Sequence, residues 1–187
     1  HLLQAALRAV LGRQVAQRGS LVEPDRFRFD FSWMGPVERE KIIQVEQWVN
    51  EKIRADLSVN TRLASYNEAV ADGAIALFDE KYGDRVRVIS VGQPPISTEL
   101  CGGTHVRSTG QIGMLLIVTE GSVGTGLRRV EAVTGRAAER MVRARTQALE
   151  AMAGQLGVTP AEAMDRLATT MSELETARKR LGALERQ

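Results

Sequence analysis

The sequence is poor in the residues that bind metals through nitrogen or sulfur. Its 187 residues include one cysteine, Cys101, and two histidines, His1 and His105. A single cysteine excludes an intrachain disulfide framework and is typical of a reducing compartment, so we expect a cytoplasmic protein. Zinc takes at least three protein ligands. A zinc site in this chain would therefore have to use these three residues, or carboxylates beside them.

Other scarce features exclude further classes of protein. No apolar run reaches the length of a membrane helix, so we expect no membrane partner. The 25 Lys and Arg are nearly balanced by 23 Asp and Glu, and a net charge of +2 does not by itself indicate nucleic-acid binding. With 43% apolar residues, the chain is long enough for one medium core and an appendage.

The first residues of the chain carry a helical pattern. Leu2, Leu3, Ala6, Leu7 and Val10 recur at the spacing of one helix face. Because the chain has no initiator methionine and opens inside this pattern, we expect it to be a fragment whose start lies upstream.

Residues 1–135 mix predicted strands and helices without regular alternation. A polar connection follows the first helix, and then Phe27, Phe29 and Phe31 alternate with charged residues, which predicts a strand with one buried face. Further strands are predicted at 57–64, 85–91, 112–119 and 126–134, with helices from Pro36 to about Asp56 and after the capping pair Ser65 and Glu68. We predict an α+β domain, an antiparallel sheet covered on one side by helices.

Residues 136–187 differ from the first region because their pattern predicts helices alone. Two helices are predicted, the first ending at Gly157 and the second starting at Pro160 with Thr159 as its cap. Apolar residues of the second helix alternate at spacings of three and four, namely Met164, Leu167, Met171, Leu174, Ala177, Leu181 and Leu184. This pattern predicts a coiled-coil-like linker, a helical hairpin that docks on the domain or pairs with another chain as a homodimer.

Cys101 and His105 lie in one segment with Gly102 and Gly103 between them. A thiolate and an imidazole suit zinc, and two glycines permit positive φ and close approach in a loop that grips an ion. The alternative is that Cys101 is a small buried apolar residue. His1 has an alternative too, as a frayed terminus without a role, and spacing alone does not decide.

Three segments, Glu99–Gly110, Gly126–Gly135 and His1–Arg8, together closely resemble the editing domain of alanyl-tRNA synthetases over almost the whole chain. The resemblance implies a zinc site built from an HxxxH pair on a helix and a CxxxH pair on a loop. His1 aligns with the second histidine of the first pair, and Cys101 and His105 form the second. The first histidine would lie four residues before His1, so we expect three ligands here and weak zinc binding or none.

The resemblance also implies an activity, hydrolysis of the ester in tRNA(Ala) mischarged with serine or glycine. Gln17 is carried over as a polar group of the editing pocket, although its pattern alone indicates a solvated loop residue. We expect backbone N–H groups of Gly102 and Gly103 to hold the oxyanion, and Gln17 and Thr104 to contact the amino acid or the water. The parent enzyme would attach alanine to tRNA(Ala) with ATP and magnesium in a catalytic domain outside this chain.

For contact with tRNA phosphates near the acceptor end, the candidates are Arg128 and Arg129, with Arg107 as a helper. Neighbours on a strand point to opposite faces. The alternative for Arg128 and Arg129 is an exposed strand edge with solvated side chains.

Three other functions fit the same residues less well. The chain could be a free-standing trans-editing deacylase of the superfamily, or the editing domain of threonyl-tRNA synthetase, although its motifs match the alanyl versions. It could also be a non-catalytic module for tRNA binding or dimerisation. We expect the parent to deacylate mischarged tRNA, and the isolated chain to keep the fold with little activity.

Overall fold

The computed structural model describes residues 1–76 and 82–184. The chain divides into two compact units, His1–Glu139 and Arg140–Gln187. None of the helices in the described part of the chain carries an apolar stretch that could cross a membrane.

The described residues contain five α-helices and seven strands, joined by turns and loops. They follow in the order α1 (Leu2–Leu11), β1 (Gln17–Val22), β2 (Phe27–Ser32), α2 (Arg39–Arg54), β3 (Val59–Ser65), α3 (Tyr66–Ala71), β4 (Arg85–Val91), β5 (Ser97–Leu100), β6 (Leu115–Gly124), β7 (Leu127–Thr134), α4 (Gly135–Leu156) and α5 (Ala163–Leu184). A short 3-10 turn, Thr109–Ile112, precedes β6.

The α+β class is confirmed, but the strands form two antiparallel sheets where the sequence predicted one. The first has the order β1-β2-β7-β6 and the second the order β3-β4-β5. The sequence analysis missed β5, because this four-residue strand is buried at Ser97, Glu99 and Leu100 and shows no clear alternation of apolar and polar residues.

The main core lies between α1, α2 and the first sheet. Ala6 and Leu7 of α1 and Val45 of α2 are fully buried together with Phe31 of β2. Helical spacing places Leu3 and Leu7 on one face of α1, which packs against α2. This packing positions the N-terminal end of α1, where His1 lies.

Several predicted boundaries are wrong by a few residues. Helix α2 begins at Arg39 after the N-cap Glu38, and Pro36 lies in the irregular segment before it. Gly135 begins α4 directly, and α5 starts at Ala163 after a turn in which Thr159 bonds Glu162. The capping pair is confirmed, since the Ser65 side chain accepts from the Glu68 N–H.

The second unit contains α5 and the part of α4 that follows Glu139, and these are the two helices that the sequence predicted. The apolar residues of the α5 seam are exposed to solvent, including Met164, Leu167, Met171 and Leu174. Among the described residues of this unit, only Ala153 and Ala163 are fully buried. The seam therefore has no apolar partner within the described unit.

Candidate metal centre and cleft

His1, Cys101 and His105 come together although His1 is about a hundred positions away from the other two. One nitrogen from each histidine and the sulfur of Cys101 all lie within 4.8 Å of one another. The two imidazole Nε2 atoms are 3.1 Å apart. A thiol and two imidazoles within this distance are the donor types that zinc prefers.

Three structural elements create this convergence. His1 is the N-cap of α1, while Cys101 directly follows β5. The Cys101 N–H donates to the carbonyl of Arg87 in β4, which continues the β4–β5 ladder by one residue and fixes where the loop begins. His105 lies four residues further along the same loop.

Glu99 contacts the His1 ring at Nδ1, the nitrogen that does not face His105. Its Oε2 lies 2.7 Å from His1 Nδ1, and its Oε1 accepts a hydrogen bond from Ser97 Oγ at 2.6 Å. Nδ1 is thereby engaged, and Nε2 faces the cluster. Sequence reasoning missed Glu99 as a site residue, because the buried strand that places it beside His1 was itself not predicted.

Arg87 contacts the loop from the other side. One guanidinium nitrogen lies 3.2 Å from His105 Nδ1, and another donates to the carbonyl of Gly102 at 3.3 Å. Because a guanidinium can only donate, His105 Nδ1 accepts this bond. His105 thus also turns Nε2 toward the cluster, and a metal bound there would displace any proton on it.

The close contacts among His1, Cys101 and His105 shift the pKa values of all three groups. Burial would lower the pKa of His1, but hydrogen bonds to Cys101 and Glu99 outweigh it and raise the pKa from 6.5 to about 10. The same contact with His1 lowers the pKa of Cys101, helped by a hydrogen bond from the Gly103 backbone. Burial and the charges of His1 and Arg87 lower the pKa of His105.

The two glycines of the loop are not there for positive φ, contrary to our expectation, since neither adopts it. A Cβ on Gly102 would meet nothing within 4 Å. A Cβ on Gly103 would lie 3.5 Å from the Cys101 sulfur and 3.9 Å from His105 Cε1. These are ordinary van der Waals distances, so neither glycine is required by the space around it.

A cleft of about 740 Å³ opens beside the cluster, between the β1–β2 edge and the cysteine loop. Gln17 and Thr104 both line it, so two predicted pocket residues lie with the three predicted ligands. Gln17 donates to Ser20 Oγ at 3.0 Å. A second, apolar cavity of about 190 Å³ is also lined by His1 and His105.

The predicted RNA-contacting arginines are not in this cleft. Arg128 makes a two-pronged ion pair with Glu120, and Arg129 makes another with Asp30. β7 is an inner strand between β2 and β6, so the alternative of solvated arginines on a strand edge is wrong. Arg107 is exposed in the loop after His105, and no ion pair of its side chain occurs among the described residues.

Comparison with known proteins adds an independent finding. The sequence profile described as the threonyl and alanyl tRNA synthetase second additional domain matches residues 86–131, which include the cysteine loop. The chain is 50% identical over 187 residues to an alanine–tRNA ligase of Dehalococcoides mccartyi strain 195, covering 100% of this chain and 22% of that protein.

Two further relatives carry the same name. Identity is 46% over 194 residues with the alanine–tRNA ligase of Chloroflexus aurantiacus, covering 98% of this chain and 22% of the relative. Identity is 50% over 181 residues with the alanine–tRNA ligase of Bordetella petrii, covering 97% of this chain and 20% of that relative. The chain thus spans about a fifth of the length of the relatives it matches. On these matches and this loop, the chain belongs to the alanine–tRNA ligase family and carries its second additional domain.

Proposed function

We propose that this chain is the editing unit of an alanine–tRNA ligase, hydrolysing the ester of tRNA(Ala) that carries serine or glycine. The observation that carries the proposal is the convergence of His1, Cys101 and His105 beside a cleft that Gln17 also lines. The proposal includes a cytoplasmic parent enzyme that attaches alanine to tRNA(Ala) with ATP and magnesium through domains outside this chain.

Selection by size explains why such a second site would be needed. Glycine is smaller than alanine and fits any alanine pocket, while serine adds one hydroxyl that an apolar pocket rejects weakly. A separate hydrolytic site removes those products after they form.

His1, Cys101 and His105 would hold zinc, because their donor atoms match zinc in type and lie within 4.8 Å of one another. Zinc bound there supplies a Lewis acid that polarises the ester carbonyl or orients the aminoacyl group. Three ligands from this chain imply weaker binding than four, so we expect metal content to depend on the zinc concentration.

Polar groups of the chain would contact the substrate and the attacking water. Gln17 and Thr104 are placed to contact the amino acid or the attacking water, since both line the cleft. The backbone N–H of Gly102 is the better candidate for the developing oxyanion. That of Gly103 is engaged with the Cys101 sulfur.

Among the three arginines proposed to contact tRNA, Arg107 leads, because it is exposed and close in sequence to His105. Arg128 and Arg129 would have to give up carboxylate partners before binding phosphate. We therefore expect Arg107→Gln to weaken tRNA binding more than Arg129→Gln, measured as the dissociation constant at fixed salt.

Release of serine from seryl-tRNA(Ala) tests the proposal. The chain, and a longer ligase that contains it, are assayed with zinc present, with alanyl-tRNA(Ala) as the control substrate. We expect Cys101→Ala to lower the rate of serine release at least tenfold. Equal rates for the variant and the wild type would refute the role of the loop. Binding of tRNA without hydrolysis would favour the non-catalytic module.

We also propose that the exposed seam of α5 pairs with a second copy to form a homodimer. Supporting this, the exposed apolar residues recur at the spacing of a coiled coil. Chain mass measured at several concentrations should rise toward twice the monomer value. Leu174→Arg should abolish the rise, and a wild type that stays monomeric would exclude the dimer.

A further inference from the structure

Glu99 is a carboxylate in an unusual place. It is 4% exposed, at the end of β5, and among the described residues no lysine or arginine forms an ion pair with it. A buried carboxylate is costly unless its oxygens find partners. Its location therefore needs a reason other than the packing of β5.

Both oxygens of Glu99 are used, and both partners lead to the cluster. Oε2 holds His1 Nδ1 at 2.7 Å, and Oε1 accepts from Ser97 Oγ at 2.6 Å. Ser97 is itself 8% exposed and lies two positions away on the same face of β5. The hydroxyl thus fixes the carboxylate, and the carboxylate fixes the imidazole.

We propose that Glu99 is the positioning residue of the metal centre, which holds the His1 ring so that Nε2 faces Cys101 and His105. This inference rests on the metal site proposed above. A carboxylate bonded to the far nitrogen of a histidine orients the ring and makes the near nitrogen a better donor. Its negative charge also favours a cation in the cluster.

Glu99 does not act on the substrate in this arrangement. Although Glu99 lines the cleft, each of its oxygens already has a partner, one in His1 and the other in Ser97. The effect of Glu99 on hydrolysis is therefore indirect, through His1.

The first readout is metal affinity. Cobalt and zinc are titrated into the wild type, Glu99→Gln, Ser97→Ala and the control Glu51→Gln, an exposed carboxylate on α2. We expect Glu99→Gln to weaken metal binding by about 10- to 100-fold and Ser97→Ala by less. The control should match the wild type. A Glu99→Gln chain with wild-type affinity would overturn the proposal, as would a variant that loses hydrolysis while it keeps its affinity.

The second readout needs no metal. Because the chain has two histidines, 15N-labelled histidine gives two sets of ring signals. In the presence of a chelator, the Nδ1 proton of His1 should be protected from exchange with water. Glu99→Gln should weaken that protection, because a neutral amide oxygen accepts a weaker hydrogen bond than a carboxylate, while His105 is unchanged. An unprotected proton in the wild type would overturn the inference. If Glu99→Gln does not fold, Ser97→Ala decides.

The two readouts separate this inference from the proposed function. A wild type that binds no metal refutes the metal site, while the His1 proton still reports on Glu99. A chain that binds metal through an oriented His1 but leaves seryl-tRNA(Ala) intact refutes the editing function alone.

Discussion

The two units of the chain bury their apolar residues very differently. In His1–Glu139, residues such as Phe31 and Leu7 have no exposed surface, and charged side chains such as Arg128 pair with carboxylates across strands. In the described part of Arg140–Gln187 most large apolar side chains lie on the surface, and Met171 is 60% exposed. The first unit is stabilised by its own core. The described part of the second unit offers an apolar seam and little core.

The largest contrast should come from truncating one apolar residue in each unit. Phe31→Ala should lower the free energy of unfolding of the first unit by about 3–5 kcal/mol, because it leaves a cavity under the sheet. Met171→Ala should change the free energy of unfolding of the second unit by less than about 0.5 kcal/mol, since the Met171 side chain is already in water. Urea unfolding followed by circular dichroism measures both. Equal effects would show that the seam is buried in solution.

Ion pairs offer the second contrast. Arg128 and Glu120 are 13% and 12% exposed, so Arg128→Met should leave a carboxylate without its partner and cost about 2 kcal/mol. The pair of Lys179 with Glu175 is 75% and 68% exposed, and Lys179→Met should cost about 0.3 kcal/mol. A comparable loss in both variants, measured by the same unfolding experiment, would contradict the difference in burial.

Acid should reveal the same difference. The hydrogen bond from Arg129 lowers the pKa of Asp30 below its ordinary value of 3.8. The pair therefore stabilises the fold above about pH 4, and this contribution is lost as the pH falls toward the folded-state pKa. At neutral pH Asp30→Asn should be less stable by about 1 kcal/mol, and in acid it should converge with the wild type. The control Glu175→Gln should show no such convergence, and thermal melts at a series of pH values test both.

The smallest effect concerns a glycine inside α4. A Cβ on Gly154 would meet nothing within 4 Å, and the residue has no positive φ, so Gly154→Ala should stabilise the helix by about 0.5–1 kcal/mol. Gly126→Ala in the first unit should instead destabilise, because Gly126 has a φ of 69°. Helicity and melting temperature of the two variants check the opposite signs.

Sequence periodicity was informative where one face of an element is buried. The alternation of Phe27, Phe29 and Phe31 predicted β2, and the apolar stripe at the start of the chain predicted α1. Strand β5 escaped prediction because burial on both faces removes the alternation. The second sheet was missed with it, since pairing between distant strands leaves no local signal.

The candidate site, too, was predictable only where its residues stand out in the sequence itself. Scarcity singled out His1, Cys101 and His105, and the family resemblance added Gln17. The structure places all four around one cleft. Neither route indicated Glu99 or Arg87, because their contacts with the histidines depend on how β4, β5 and α1 come together. The carboxylate partners of Arg128 and Arg129 were hidden for the same reason.

His1 and His105 are 104 positions apart in the chain, and they meet through their ring nitrogens. An ion held by both would act as a reversible cross-link in a protein that cannot form an internal disulfide. Because such an ion would bind the folded chain and leave on unfolding, it would stabilise the fold by about 2.7 kcal/mol at a free concentration 100 times its dissociation constant. The free concentration of the ion would then set how long the folded chain survives proteolysis.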